Sequence, residues 1–339
     1  MNSYERMKTA LEKGLPDRPP LFELSIANSV IRGLGCRDYF DVIDSLDLDG
    51  MTVNQMLYEK EDFSWIDPVR RIFKDNWGCR LALGEEPFPF LLDWPIRDVE
   101  DISRFSTPDP RDDGMLTLIP EFVRRYKGKK MIALLSRAVF ATSWYLRGME
   151  NFLMDLVLYP DAAADLMEKV GRYYRELHSL AIEGGVDLIV LGDDYASKTG
   201  TIMSPVTFRH MILPGLAETV RNIKQKGGYC IKHTDGNVWA IIEDMVSTGA
   251  DALGPLELEA GMNLAEVREK YGHSVAVMGN VEVDLLSRGS KEDIRREVEI
   301  LLSRVSAKGG HIMSSGNSIS NAVRPENYRY LVELTQSAG

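Results

Sequence analysis

Tyr229-Cys230-Ile231-Lys232-His233-Thr234-Asp235-Gly236-Asn237 is a short apolar run that ends in a histidine and, two residues later, an acid. A Gly-Asn break follows, and an apolar-periodic helical stretch begins near Val238. Strand, polar cluster, helix is how a parallel α/β protein sets reactive groups, because side chains at a strand's C-terminal end face the crevice. The stretch therefore predicts that His233 and Asp235 sit in an active-site mouth.

The same rhythm repeats outward in both directions. Met131-Ile132-Ala133-Leu134-Leu135 leads to Ser136-Arg137, and Asp187-Leu188-Ile189-Val190-Leu191 leads to Gly192-Asp193-Asp194. On the far side, Asp251 to Leu256 ends in Glu257, Val275 to Met278 in Gly279-Asn280, and His311-Ile312-Met313-Ser314 near Asn317. Near the N-terminus, Arg18-Pro19-Pro20-Leu21-Phe22-Glu23-Leu24 is extended, since residues before proline avoid the helical region. Asp47 to Val53 is a second early strand, and Ser3 with Glu5 to Leu11 reads as a capped opening helix. Counting runs near 21, 50, 133, 189, 231, 254, 276 and 312 predicts eight strands, each followed by helical sequence. Continuous apolar strands between amphipathic helices imply a parallel sheet covered on its outside. The expected fold is α/β, a single (β/α)8 TIM-type barrel spanning residues 1–339. A stretch at about 55–97 breaks the rhythm and reads as an N-terminal hairpin insertion, with a turn near Asp75-Asn76.

Bulk properties bound the function. The net charge is 40 − 51 = −11 without a long basic run, which disfavours nucleic acid as the main partner. No apolar run approaches the roughly 20 residues of a membrane span, and Met1 to Lys8 lacks the apolar core of a signal peptide. Cys36, Cys79 and Cys230 give neither a disulfide framework nor CxxC spacing, so a reduced cytoplasm is the expected compartment. GxGxxG after a first strand, GxxxxGK[ST], HExxH and GxSxG do not occur.

Taken singly, a loop Asp or Asn is more often a helix cap or turn residue than a catalyst. The conjunction of polar strand ends is what counts, because a barrel makes them converge on one face. Candidate catalytic residues are His233, Asp235, Asp193 and Glu257. Candidate binding residues are Glu23, Arg137, Trp144, Tyr145, Asp194, Asn280, Ser314 and Asn317, with Trp77 and Trp94 as further aromatic candidates. Carboxylates and an imidazole around one mouth need a metal, a proton or Arg137 to compensate them, and His233, Asp235 and Glu257 are the candidate metal ligands. His178, His210, His273 and His311 read as scaffold residues.

Gly192-Asp193-Asp194-Tyr195, Met203-Ser204-Pro205, His233-Thr234-Asp235-Gly236-Asn237, Leu256-Glu257, Gly279-Asn280-Val281 and Ser314-Ser315-Gly316-Asn317-Ser318 occur in this order. The series resembles the uroporphyrinogen decarboxylase superfamily over about 180–330, and more loosely before that. One branch of that superfamily decarboxylates an octa-anionic tetrapyrrole through an arginine-rich segment after the first strand. Here that segment, Glu23 to Ser29, has no arginine until Arg32, and an acid facing an octa-anion is electrostatically wrong. The other branch comprises corrinoid-dependent methyltransferases, of which thiol-methylating members hold zinc with His-x-Cys and a distant cysteine. In this chain those cysteine positions are Asp235 and Asn317. The resemblance therefore implies the O-demethylating kind, with a methyl group passing from a small methylated aromatic substrate to the cobalamin of a separate corrinoid protein docked at the barrel mouth. Zinc is the candidate metal, and a decarboxylase or a methyltransferase for another methylated substrate is the alternative.

Overall fold

The computed structural model describes residues 1–55 and 64–339. At its centre is a curled, all-parallel sheet of seven strands in chain order: β1 (Gly50–Thr52), β2 (Met131–Ser136), β3 (Leu188–Gly192), β4 (Tyr229–His233), β5 (Ala252–Leu253), β6 (Ala276–Met278) and β7 (His311–Ile312). Parallel neighbours need crossovers, and helices such as Pro160–Glu183, Leu213–Gln225 and Lys291–Arg304 supply them. The architecture is TIM-type.

The eighth strand expected near residue 21 is instead a single parallel bridge between Leu21 and Met313. Pro19 and Pro20 have no N–H, so this segment cannot form a regular ladder. It still spans the gap between β7 and β1. Met313 N–H donates to Pro20 O (2.8 Å), Phe22 N–H to Met313 O (3.2 Å) and Asp49 N–H to Leu21 O (2.9 Å).

Because side chains alternate along a strand, each barrel strand has two apolar faces. Ala133, Leu188, Val190, Ile231, Ala252, Ala276 and Ile312 pack inside the sheet, and Met7, Ala10 and Leu11 of the first helix join that inner core. The opposite faces, including Cys230 and Leu191, pack beneath the surrounding helices. The cap of helix Ser3–Leu11 is Asn2 rather than Ser3. Its side chain accepts from Glu5 N–H while Glu5 reaches back to Asn2 N–H, a reciprocal capping box.

Residues Ile72–Lys74 pair antiparallel with Arg80–Ala82. The Asp75 carboxylate closes the turn by accepting Cys79 N–H at 2.8 Å. Trp65–Asp67 and Phe90–Asp93 extend the pair to a four-stranded antiparallel sheet. Residues 56–63 of the expected 55–97 insertion lie outside the described residues. Among the described residues no helix is long and apolar enough to cross a membrane.

Candidate active site

His233 ends β4 on the same face as Ile231, so its ring points into the mouth of the curled sheet. Its Nδ1 lies 2.9 Å from Pro255 O. A carbonyl only accepts, so Nδ1 carries the proton and Nε2 is turned to the cavity, 3.7 Å from Asp235 Oδ1. Asn317 Nδ2 donates to both Asp235 oxygens at 2.9 and 3.0 Å. Asp194 Oδ1 accepts Asp235 N–H at 2.9 Å. Burial pushes the Asp235 carboxyl above its ordinary range, the nearby charges of Asp194 and Glu257 add to the rise, and His233 and Asn317 oppose it. The loop turns sharply at Gly236, where φ is +82° and a Cβ would lie 2.5 Å from the Ala196 carbonyl carbon. No other residue type fits there.

The structure divides the sequence candidates. His233, Asp235, Asp194, Arg137, Tyr145 and Asn317 line one cavity of about 590 Å³ at the strand ends, together with Trp77 and Tyr174. Asp193 does not face it. Its carboxylate accepts the N–H groups of Ala138 (3.3 Å), Val139 (3.1 Å) and Phe140 (3.0 Å), closing the start of helix Phe140–Arg147. The catalytic role expected of Asp193 is therefore corrected: it organises a loop, and its neighbour Asp194 meets His233. Trp144 packs against Tyr145 at a tilt of 44° (centroids 4.2 Å apart) but does not line the cavity. Arg137 stacks over Tyr145 at 4.1 Å and donates to Thr142 Oγ1 at 3.3 Å.

Glu257 is also displaced from its expected place. It accepts Gly236 N–H at 3.0 Å and lines a second lobe of about 490 Å³ that meets the first at Phe88, Pro89, Asp235, Asn317 and Ser318. Among the described residues, the ligand atoms that converge within 4.8 Å of one another belong to Asp194, His233 and Asp235. Asp194 thus replaces Glu257 in the candidate metal set. Asn280 lines the second lobe. Ser314 faces neither cavity and donates to Ser315 O at 2.7 Å. Glu23 is sealed beneath the mouth, accepting Ser315 N–H (3.0 Å) and Ser315 Oγ–H (2.6 Å). Burial outweighs those bonds and pushes its carboxyl up to about 8.

Sequence reasoning missed Lys74, Asp75, Asp112 and Asp113, which line the main cavity from outside the β/α repeat. It also missed Lys232, whose fully buried ammonium donates to the carbonyls of Leu191 (3.2 Å), Asp193 (2.7 Å) and His233, and lies 4.4 Å from the Tyr195 ring centroid. A lysine at the fourth position of the five-residue strand Tyr229–His233 was the available signal. Burial lowers its pKa to about 8. His178 is buried against Ser136 Oγ (2.8 Å), and His311 sits between Ser306 Oγ (2.7 Å) and Gly279 O (2.6 Å).

A family model described as "Uroporphyrinogen decarboxylase (URO-D)" matches residues 72–338. The chain belongs to the URO-D family. Among curated relatives it is similar to the uroporphyrinogen decarboxylase of Geobacter sulfurreducens, 26% identical over 261 residues covering 75% of this chain and 74% of the relative. That of Chlorobium phaeovibrioides is 28% identical over 286 residues, covering 78% of each. Among solved structures, a methyltransferase from Methanosarcina mazei superposes with a TM-score of 0.79 over 99% of both chains at 17% identity, a likeness of fold. Within this family fold, the polar residues that converge at the strand ends are those described above.

Proposed function

We propose that this family member is a methyltransferase that moves a methyl group from an aryl methyl ether to the reduced cobalamin of a separate corrinoid protein. The observation that carries the reading is the Asp194–His233–Asp235 cluster, open to a cavity walled by Trp77, Tyr145 and Tyr174. Those rings offer flat faces to an arene, and a cavity of this size suits a small substrate. In the transfer the methyl carbon bonds to cobalt while its bond to oxygen breaks, and the electron pair leaves on the aryl oxygen. That oxygen must then be neutralised, and the Asp235 carboxyl, held protonated to higher pH by burial, is the proton source beside it. His233 Nε2 stands 3.7 Å from Asp235 Oδ1, close enough for its charge state to bear on the carboxyl, and the Nδ1 bond to Pro255 O keeps the ring aimed.

The donor set also fits zinc. One imidazole with its far nitrogen hydrogen-bonded and two carboxylates leave an open position of the catalytic kind. Asp194, His233 and Asp235 would hold the ion, which would supply Lewis-acid polarisation of the ether oxygen. Methylated substrates of other kinds share this chemistry wherever the leaving atom is a hard oxygen.

The names of the curated relatives favour a second reading, decarboxylation. Against an octacarboxylate stands the charge of the main cavity, where Asp75, Asp112, Asp113, Asp194 and Asp235 face only Lys74 and Arg137 among the described residues. A smaller carboxylated substrate would fit this second reading better. The deciding assay incubates the protein anaerobically with cob(I)alamin and a methoxyphenol and follows methylcobalamin by its absorbance. Failure of every methoxyarene with both free and protein-bound corrinoid sinks the proposal. Carbon dioxide release from a carboxylated arene would establish the second reading.

A further inference from the structure

We propose that Glu23 is a positioning residue for the mouth: through the hydroxyl of Ser315 it sets Asn317, and through Asn317 the orientation of Asp235. Glu23 lies on the segment that closes the gap between β7 and β1. Leu21 bridges Met313 in parallel, and Phe22 N–H donates to Met313 O (3.2 Å), a register that brings Glu23 beside Ser315. Phe22 and Leu24 pack into the inner core, so period-two alternation turns Glu23 away from it. Glu23 is 2% exposed and Ser315 is 0% exposed, so protein groups decide where their hydrogens go.

Counting hydrogens gives the relay its direction. Ser315 Oγ lies 2.6 Å from Glu23 Oε2 and 2.5 Å from Asn317 O. A serine hydroxyl has one hydrogen to give, and a carboxylate and a carbonyl only accept. With Glu23 charged, the hydroxyl turns to the carboxylate as the stronger acceptor, and Asn317 O is left against a bare oxygen. With Glu23 protonated, the acid donates to Ser315 Oγ and the hydroxyl gives its own hydrogen to Asn317 O. Only the second state satisfies both contacts, and burial favours it by pushing the Glu23 carboxyl up to about 8. Among the described residues, the ionisable groups whose charge bears on Glu23 are Tyr39 and Tyr328, on helices Tyr39–Ser45 and Pro325–Gln336. Burial raises both phenols, so both stay neutral while Glu23 titrates.

The peptide between Asn317 and Ser318 carries the setting outward. Its oxygen is held by Ser315, and its N–H donates to Asn317 Oδ1 at 2.6 Å. The second bond fixes which end of the side-chain amide is oxygen, so Nδ2 faces Asp235 and donates to both carboxylate oxygens at 2.9 and 3.0 Å. A peptide that tilts to relieve an unsupported Asn317 O therefore swings the amide that grips Asp235. Asp235 is the proton source of the proposed transfer, so the bearing of the relay on that reaction rests on that reading. The relay itself does not.

Nuclear magnetic resonance of the full chain tests this by following the Asn317 side-chain amide, assigned by its loss in Asn317→Ala, from about pH 6 to about pH 10. In the wild type the resonances should move with a midpoint near 8. Glu23→Gln should abolish the larger part of that movement and keep the low-pH positions, because a glutamine amide donates to Ser315 Oγ as the protonated acid does. Ser315→Ala should uncouple Asn317 from Glu23 and lose the same part. Movement driven by Lys232 or by the His233–Asp235 pair would survive both substitutions, so the part that vanishes belongs to Glu23. Resonances that stay still in the wild type, that move equally in Glu23→Gln, or that keep their full movement in Ser315→Ala would overturn the relay. The titration contains neither corrinoid nor methoxyarene, so its result and that of the methyl-transfer assay stand apart.

Discussion

At the N-terminal end of the sheet, Asp49 is buried between Arg6 (2.6 Å) and Arg18 (2.7 Å) and accepts Leu21 N–H at 2.8 Å. Asp187, just before β3, accepts Ile132 N–H and pairs with Lys127. Asp251, just before β5, accepts Cys230 N–H and pairs with Lys224. Each acid at this end thus meets both a cation and a backbone donor from the neighbouring strand. At the opposite end, Asp194 and Asp235 face each other across His233, and burial raises rather than lowers the Asp235 carboxyl. The sheet therefore ends below in acids paired with Lys or Arg, and above in acids held by an amide, a backbone N–H and a nearby imidazole. Polar groups that stabilise a barrel belong at its N-terminal face, whereas groups kept short of partners are available to a substrate.

The largest expected effect tests the lower end. Asp49→Asn leaves the buried Arg18 without its counter-charge and Arg6 with Asp17 alone, and should cost about 3–5 kcal/mol in urea denaturation. A loss below about 1 kcal/mol would mean that the lower charges are not a stability element. His233→Ala addresses the upper end. It should reduce methyl transfer at least about 100-fold with the urea midpoint nearly unchanged, and near-normal turnover would remove His233 from the mechanism.

Glu23 lies between the two regimes and gives a pH signature. Its carboxyl is raised from 4.5 to about 8, so between those values the folded chain holds a proton that the unfolded chain releases. The stability contributed by this protonation is fully present below pH 4.5 and is lost as pH rises through about 8. Urea midpoints from pH 5 to 8 should decline by an amount on the order of 2 kcal/mol, and Glu23→Gln should flatten that part of the slope. Equal slopes in the two proteins would place the Glu23 charge elsewhere. The smallest effect separates adjacent acids. Asp193→Asn should cost about 1–2 kcal/mol by weakening the bonds that close the helix start, while Asp194→Asn should leave stability near wild type and impair transfer. The reverse pattern would exchange their roles.

That last pair marks where sequence reading stops. Strand positions near 50, 133, 189, 231, 254, 276 and 312 were legible because buried parallel strands are continuous apolar runs. Period-two alternation also points His233 inward. It does not extend past Gly192, where β3 ends, so Asp193 and Asp194 look alike in sequence although one turns to a helix start and the other to the mouth. Trp144 and Tyr145 present the same ambiguity, resolved by which side of one helix meets the cavity. The segment near Leu21 looked like a strand because proline enforces extension, but the missing N–H groups that make it extended also deny it a ladder. The lining contributed by Lys74 and Asp75 had no periodic signature at all, since a turn between short antiparallel strands is placed by long-range packing.

The bond between Glu23 and Ser315 has a consequence for biosynthesis. Its partners are 292 positions apart, and Asn317, which grips Asp235 from 82 positions away, comes from the same late segment. The first helix and the β1 to β4 region leave the ribosome long before either bond can form. Loop closure of that length is a late event. Until residues 311–318 arrive, the nascent chain has its strands but neither the seam between β7 and Leu21 nor an oriented Asp235. Catalytic competence should therefore appear in one step near the end of translation, and a chain stalled before residue 311 would be folded in part but chemically silent.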